Sequence, residues 1–278
     1  MCKLTPDKNA PIGVFDSGIG GLTVVREIMR QMPQERIVYF GDTARVPYGS
    51  KSRDTIIRYS RQIIRFLMTK EVKAIVIACN TASAYALAEV EKEFDVPIIG
   101  VIRAGARTAV QATRNGKIGV IATEATIGSG IYTEEMKKLR PDIEVTGKPC
   151  PLFVPLVEEG LLHDSVTDEI ASRYLSSLKA RFVDTLVLGC THYPLIRSTL
   201  GRLMGSDVTL VNPAYETAIE LRSLLEREGL SCDEGKDVGA EGRYQFYVSD
   251  LAEKFTAFAT SILPNEVKET KKVDIEKF

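Results

Sequence analysis

The chain has 278 residues, of which 44% are hydrophobic and 26% charged, the composition of a folded protein with a substantial core. The formal net charge of −1 gives no basic surface for nucleic acid, and the sequence has no apolar run long enough to span a membrane. The 5 cysteines form no CxxC pair and the 2 histidines are too few for a His-rich centre, so we expect neither disulfides nor a metal site. Because residues 1–10 are polar and carry no signal-peptide core, we expect a cytoplasmic protein with free thiols.

Strand-like and helix-like segments alternate along the chain, which predicts parallel sheets flanked by helices. The first half shows a strand at 12–15, a glycine-rich turn at 18–21, a helix to 32, a strand at 36–40, a loop at 41–50, a helix at 52–69, a strand at 74–78, a helix at 82–94 and a strand at 98–101. After a second set of elements come a strand at 208–211, a helix at 215–228, a loop at 229–241, a strand at 244–248 and a helix at 252–262. The Lys- and Glu-rich residues 265–278 predict a solvated helix or a disordered tail.

An internal repeat places two cysteines at matching points. Residues 72–81 and 183–192 are both apolar runs of buried-strand type that end in a cysteine, Cys79 and Cys190, followed by small polar residues. This predicts two copies of one unit, hence an α/β fold of two pseudo-symmetric domains, each a mostly parallel sheet flanked by helices, with the active site in the cleft between them. Two thiols on opposite sides of a cleft suit a reaction that needs one base on each face of a carbon atom.

The order of elements also predicts where the domains begin and end. Helix and strand material remains after the second copy closes, so we expect a discontinuous first domain of residues 9–102 plus 212–264. Residues 103–211 would form the second domain and 265–278 a charged tail. Two connections between the domains would form a hinge that opens and closes the cleft.

Polar residues follow several of the predicted strands, and ligands bind beyond the carboxyl ends of parallel strands. These strand-end residues are Asp16, Ser17, the loop after Phe40, Cys79, Asn80, Thr81, Thr123, Cys190, Thr191 and His192. Those that follow Phe15, Ala78 and Gly189 also precede predicted helices. A helix N-terminus favours anions and can lower a thiol pKa from about 8.5, which would make either cysteine a usable base. A cysteine after a strand is otherwise often a small core residue. The matching positions of the two cysteines favour a catalytic role.

Other candidate residues stay ambiguous on local pattern alone. Asp16 is either a helix N-cap or a carboxylate that binds an ammonium group or orients a thiol. His192 either donates a hydrogen bond to a thiolate or carboxylate or fills a polar turn. Glu158 has no local feature that separates it from a solvated helix charge. The glycines at 18–21 match neither the dinucleotide fingerprint nor a phosphate-binding loop, so we expect neither NAD nor ATP.

Several long stretches together carry a family resemblance. They are residues 13–22, 41–49, 78–83, 155–158 and 188–194. Through them the chain resembles the glutamate racemases of the cofactor-independent Asp/Glu racemase superfamily, from about residue 11 to residue 263. The resemblance implies an often dimeric enzyme that interconverts L- and D-glutamate without pyridoxal phosphate or metal and supplies D-glutamate for peptidoglycan, and hence for cell-wall biogenesis and cell shape. Residues 212–215 and the long charged tail depart from the family pattern.

The resemblance also implies roles for individual residues. Cys79 would take the α-proton from D-glutamate and Cys190 would deliver one to the other face, with the roles reversed for L-glutamate. Asp16 and His192 would assist Cys79 and Cys190 respectively, with Asp42 and Glu158 as further acidic groups. The substrate carboxylates and ammonium would be bound by Asp16, Ser17, Pro47, Tyr48, Gly49, Asn80, Thr81, Thr123, Thr191 and His192.

Three other functions stay open. An aspartate racemase would use the same two thiols in a shorter pocket, although the 42–50 loop with Pro47, Tyr48 and Gly49 looks like the glutamate type. A thiol hydrolase would use Cys190 with His192 and leave Cys79 without a purpose. A catalytically silent anion-binding or regulatory protein would bind substrate without exchanging its α-proton.

Overall fold

The computed structural model describes residues 7–232, 242–264, 266–267 and 269–278. Cys2 and residues 233–241 of the predicted 229–241 loop lie outside the described residues. The strands are β1 (Ile12–Asp16), β2 (Ile37–Gly41), β3 (Ala74–Ile77), β4 (Ile98–Gly100), β5 (Lys117–Ala122), β6 (Glu144–Pro149), β7 (Thr185–Gly189), β8 (Thr209–Val211), β9 (Tyr244–Val248) and β10 (Thr270–Lys272). The helices are α1 (Leu22–Gln31), α2 (Arg53–Met68), α3 (Asn80–Glu93), α4 (Val101–Ala112), α5 (Glu124–Gly128), α6 (Ile131–Leu139), α7 (Phe153–Glu158), α8 (Ser165–Lys179), α9 (Arg197–Met204), α10 (Pro213–Arg227) and α11 (Ala252–Ile262). Short 3-10 helices cover Tyr48–Ser50, Tyr193–Ile196 and Ile275–Lys277.

The strands form two sheets. One has the order β10-β9-β2-β1-β3-β4 and the other β6-β5-β7-β8, and every neighbouring pair is parallel. The run β2-β1-β3-β4 has the same order as β6-β5-β7-β8, so β3, which ends before Cys79, corresponds to β7, which ends before Cys190. The predicted α/β class with two similar parallel sheets is confirmed.

Helices cover both faces of the sheets, and this burial explains the apolar strands. Every residue of β1, β2, β3 and β7 is buried, as expected for parallel strands packed on two sides. The predicted helix at 52–69 is α2, which begins after Ser52, whose hydroxyl accepts a hydrogen bond from the Thr55 N–H. One apolar core cluster contains residues of both sheets, including Val14 and Val120.

Two local predictions need correction. The helix predicted at 82–94 begins at Asn80, because the Cys79 side chain caps its N-terminus. The helix predicted directly after Gly189 is preceded by the 3-10 helix Tyr193–Ile196. Its Pro194 supplies no backbone N–H, and α9 starts only at Arg197.

The prediction of a solvated helix or disordered tail at 265–278 is wrong for its described part. Strand β10 pairs with β9 at the edge of the first sheet, and Ile275 in the following 3-10 helix is buried. Strand β9 in turn pairs with β2. The domain boundaries inferred from the sequence stay a prediction. Within the described residues, the helices are too short or too polar to cross a membrane.

Candidate active site

A cavity of about 370 Å³ opens at the carboxyl ends of strands from both sheets. Strands β1 and β3 of the first sheet lead into it, as do β5 and β7 of the second. The predicted site residues that line it are Ser17, Pro47, Tyr48, Gly49, Cys79, Asn80, Thr81, Thr123, Glu158, Cys190, Thr191 and His192. Asp16 and Asp42 are fully buried and do not line the cavity. Both thiols therefore line one cavity, as their positions at the carboxyl ends of strands predict.

Cys79 lies between the end of β3 and the start of α3. Its Sγ accepts a hydrogen bond from the Ala82 N–H at 3.5 Å and donates to Ser17 Oγ at 3.6 Å. Burial, followed by the Asp16 charge, raises the pKa of the Cys79 thiol to about 12, while the Ala82 N–H and the Ser17 hydroxyl lower it by less. The expected lowering of its pKa at the helix N-terminus is therefore outweighed, and the thiol keeps its proton near neutral pH.

Asp16 ends β1 behind the wall of the cavity. Its carboxylate accepts the Gly18 N–H at 3.0 Å and the Thr191 hydroxyl at 3.5 Å. Burial raises the pKa of Asp16, and the His192 charge and nearby backbone N–H groups oppose that rise. Asp16 is not the N-cap of α1, which begins one residue after Gly21 and has no side-chain cap. The geometry therefore does not support the N-cap role, and the role of a carboxylate that binds an ammonium group or orients a thiol stays a prediction.

A second chain of contacts begins at Cys190. Its Sγ lies 3.7 Å from His192 Nδ1, and His192 Nε2 lies 3.0 Å from Glu158 Oε1. Burial lowers the pKa of His192, but its hydrogen bonds to Cys190 and Glu158 and the Asp16 charge raise it overall to about 10. A protonated imidazole can therefore donate to the sulfur and to the carboxylate together. Glu158, with 28% of its side chain exposed, lies on the solvent side of His192.

Asp42 supports the cavity wall from behind. Its carboxylate accepts hydrogen bonds from the Tyr48 hydroxyl at 2.5 Å, from Arg45 Nε at 2.7 Å and from Ser249 Oγ at 2.8 Å. Burial, and then the Asp42 charge, raise the pKa of Tyr48, so its hydroxyl remains a donor. The role of a further acidic group near the thiols, which the resemblance implies for Asp42, stays a prediction, and the contacts of Asp42 orient Tyr48.

Gly20 allows the first sheet to approach the second. A Cβ at Gly20 would lie 2.6 Å from His192 Nδ1 and would also overlap the Thr191 hydroxyl. The neighbouring Thr23 hydroxyl donates to the Thr191 backbone oxygen at 3.0 Å. The glycine-rich turn after β1 therefore allows close contact with the Cys190–His192 turn.

Hydroxyl and amide groups on the cavity wall are held in part by Thr126 and Tyr132, which the sequence did not indicate. The Thr81 hydroxyl contacts those of Thr123 at 2.9 Å and Thr126 at 3.1 Å. The Tyr132 hydroxyl donates to Asn80 Oδ1 at 2.7 Å, which directs the Asn80 amide. Thr126 could have been suspected from its spacing, because Thr123 caps α5 three residues earlier. Tyr132 carries no comparable local signal.

The sequence also did not indicate the apolar part of the cavity wall. Pro151, Val154 and Pro155 line the cavity on the segment that leads to Glu158. The other lining residues that were not predicted are Gly18, Val46, Ser50, Glu124 and Gly189. Two thiols, fixed polar donors and an apolar wall can exclude water and move protons to and from a small polar substrate.

Comparisons with known proteins agree with this arrangement. Residues 12–219 match the family model of Asp/Glu/Hydantoin racemases. The glutamate racemase of Geobacter metallireducens is 45% identical over 265 residues, covering 95% of this chain and 97% of that protein. The crystal structure of glutamate racemase isoform RacE1 from Bacillus anthracis has a TM-score of 0.90 and 38% identity, covering 96% of this chain and 98% of that one. The structure of glutamate racemase from Francisella tularensis in complex with D-glutamate has a TM-score of 0.89 and 41% identity over 98% of this chain and 100% of that one. The chain therefore belongs to the Asp/Glu/Hydantoin racemase family.

Proposed function

We propose that this chain is a glutamate racemase that moves protons at the α-carbon between two cysteines, without a cofactor. The observation that carries the proposal is that Cys79 and Cys190, from equivalent strands of two similar sheets, line one cavity. Relatives at 45% identity over nearly the whole chain are named glutamate racemases, which supports the choice of substrate.

The reaction follows from the two thiols. In the D-to-L direction the Cys79 thiolate takes the α-proton from D-glutamate, and the Cys190 thiol gives its proton to the opposite face. This leaves a Cys79 thiol, a Cys190 thiolate and L-glutamate, and the reverse direction exchanges the roles. Fixed donors such as Asn80 and Thr81 would stabilise the negative charge that develops on the α-carboxylate.

The raised pKa of Cys79 indicates its protonation state before the substrate binds. With a pKa of about 12, the free chain holds Cys79 as the thiol, which is the form that donates a proton during conversion of L-glutamate. To act as the base, Cys79 needs a nearby positive charge, and the α-ammonium of bound D-glutamate would supply one. Substrate binding would therefore activate this thiol.

We also propose a homodimer in the cytoplasm that supplies D-glutamate for peptidoglycan. The family resemblance supports the dimer and the biological role. Free thiols at Cys79, Cys150, Cys190 and Cys232 fit a reducing compartment. Light scattering of the purified chain tests the dimer, and a monomeric mass at working concentration would contradict it.

Circular dichroism of L-glutamate incubated with the purified protein tests the activity. We expect the signal to decay to zero, and to persist with the Cys79→Ser variant. A persistent signal with L-glutamate and a decaying one with L-aspartate would make the chain an aspartate racemase. Persistence with both amino acids would refute racemisation.

A thiol hydrolase is the second candidate, favoured by the Cys190–His192–Glu158 contacts. It requires an acyl group on Cys190 and gives Cys79 no part in the chemistry. Intact-mass measurement with a glutamate ester would detect that adduct. We expect an unmodified mass.

A further inference from the structure

The 269–278 segment is built into the first sheet. Its β10 strand pairs with β9, and the Val273 N–H donates to the Val248 backbone oxygen at 2.8 Å. Ile275 is 4% exposed, and the Phe278 ring packs edge-on against Phe66 with 5.4 Å between the ring centroids. The segment thus has a defined position next to α2.

Its Glu276 side chain reaches an arginine from the cavity loop. Arg45 Nη1 donates to Glu276 Oε1 at 3.2 Å, and Gln62 Nε2 donates to Glu276 Oε2 at 3.3 Å. Arg45 Nη1 also donates to Gln62 Oε1 at 2.6 Å, and the guanidinium lies 3.9 Å from the centroid of the Tyr59 ring. Only 9% of the Arg45 side chain is exposed.

The same arginine holds the buried carboxylate that orients Tyr48. Arg45 Nε donates to Asp42 Oδ2, the oxygen that also accepts the Tyr48 hydroxyl. Because Tyr48 lines the cavity, an unbroken series of contacts runs from Glu276 through Arg45 and Asp42 to the wall. Because Arg45 donates hydrogen bonds to Asp42, Gln62 and Glu276 at once, these partners restrict the position of its guanidinium group, which in turn holds the Asp42 carboxylate.

We propose that Glu276 and Arg45 are positioning residues for substrate binding, and that the 269–278 segment holds the cavity loop at residues 42–50 in an ordered conformation. The inference rests on the proposed racemase function for its kinetic consequence. Among the described residues, the hydrogen bonds of the Glu276 side chain come from Arg45 and Gln62, and neither residue lines the cavity, so Glu276 acts through Arg45 and not on the substrate.

The test compares Glu276→Ala with Lys277→Ala, an exposed neighbour whose ion pair with Asp274 stays within the segment. Since 68% of the Glu276 side chain is exposed, both variants should fold. For Glu276→Ala we expect the KM for glutamate to rise about two- to five-fold with kcat changed by less than about two-fold. Glu276→Gln, whose amide oxygen can still accept from Arg45, should restore most of the KM.

Hydrogen–deuterium exchange gives a readout that does not depend on turnover. Peptides covering residues 42–50 should exchange faster in Glu276→Ala than in wild type or Lys277→Ala, with other peptides unchanged. Wild-type KM together with wild-type exchange in Glu276→Ala would overturn the inference, as would a uniform rise in exchange over the whole chain. A wild-type chain that does not turn over glutamate would refute the proposed function, and the exchange comparison would still decide the role of Glu276.

Discussion

At the scale of single residues, the two thiols have different surroundings. Cys79 faces the buried Asp16 carboxylate, which adds to the burial that keeps its proton in place. Cys190 faces His192, which a carboxylate on its far side supports. In the proposed racemisation, the two thiols would therefore act with different partners.

This asymmetry predicts the outcome of removing either thiol. Because enantiomers have equal free energies, kcat/KM for racemisation must be equal in both directions, and the difference has to appear in α-proton exchange. In D₂O, Cys79→Ser should exchange the α-proton of L-glutamate through Cys190 but not that of D-glutamate, and Cys190→Ser should do the opposite. Both variants should lose racemisation by about 10²-fold or more. Proton NMR of each enantiomer measures the exchange, and equal exchange of both enantiomers would contradict face-specific bases.

The Glu158 carboxylate is expected to set the pH range of the Cys190 side. The hydrogen bond between His192 and Glu158 helps to raise the pKa of His192 to about 10. Activity that needs the protonated imidazole should therefore fall only as the pH approaches that value. Glu158→Gln removes this charge, and the alkaline limb of kcat/KM should move to lower pH by about one unit. Its exposed neighbour Glu159 provides the matched control. A limb that stays in place in Glu158→Gln, or that moves equally in Glu159→Gln, would contradict the role of Glu158.

At the scale of elements, helix α6 supports the start of helix α3. The Tyr132 hydroxyl holds Asn80 Oδ1 at 2.7 Å, and removing it leaves a buried amide oxygen without that donor. We expect Tyr132→Phe to lower kcat/KM about five- to twenty-fold, since an unmade buried hydrogen bond costs on the order of 1–3 kcal/mol. Tyr247→Phe is the control, because that hydroxyl donates to Gln245 within β9. Steady-state kinetics of the two variants make the comparison, and equal losses would argue for a general packing effect.

The elements also show how far sequence reasoning reaches. Buried strands such as β3 are apolar runs, and residues at their carboxyl ends proved to line the cavity, so local pattern and topology were sufficient there. Strand β10 was missed because Thr270–Lys272 is polar and exists through its pairing with β9. Tyr132 was missed because it lies 52 positions after its partner Asn80. The contact between Arg45 and Glu276 was missed because it spans 231 positions.

The lowered pKa predicted for the Cys79 thiol is also not found, and the reason is physical. A helix N-terminus stabilises a thiolate, and the Ala82 N–H does lower the pKa. Burial and the Asp16 charge are larger effects, and neither can be seen before the sheets are assembled. The position of a thiol in the sequence alone indicates the direction of the local effect on its pKa and not the direction of the overall shift.

For the whole molecule, these shifts predict lower stability at alkaline pH. The pKa of His192 is raised from its ordinary value of 6.5 to about 10. Its contribution to the free energy of unfolding is therefore fully present below about pH 6.5 and is lost as the pH rises toward 10. The pKa of Cys79 is raised from 9.0 to about 12. Its contribution to the free energy of unfolding is likewise lost as the pH rises above 9.

We therefore expect the free energy of unfolding to fall between pH 7 and 10 by on the order of a few kcal/mol. Urea denaturation at several pH values measures this decline. His192→Gln should flatten the curve in the lower part of that range and Cys79→Ser in the upper part. A wild-type slope in both variants would show that other groups cause the decline.

The measurement that tests two-thiol racemisation most directly is the isotope content of both glutamate pools early in turnover. L-glutamate would be incubated with the wild-type chain in D₂O and stopped at low conversion, and the enantiomers separated for mass analysis. The account predicts that the D-glutamate formed carries one α-deuterium while the remaining L-glutamate keeps its protium. D-glutamate that retains the original α-proton would mean that one base serves both faces and would contradict the paired roles of Cys79 and Cys190.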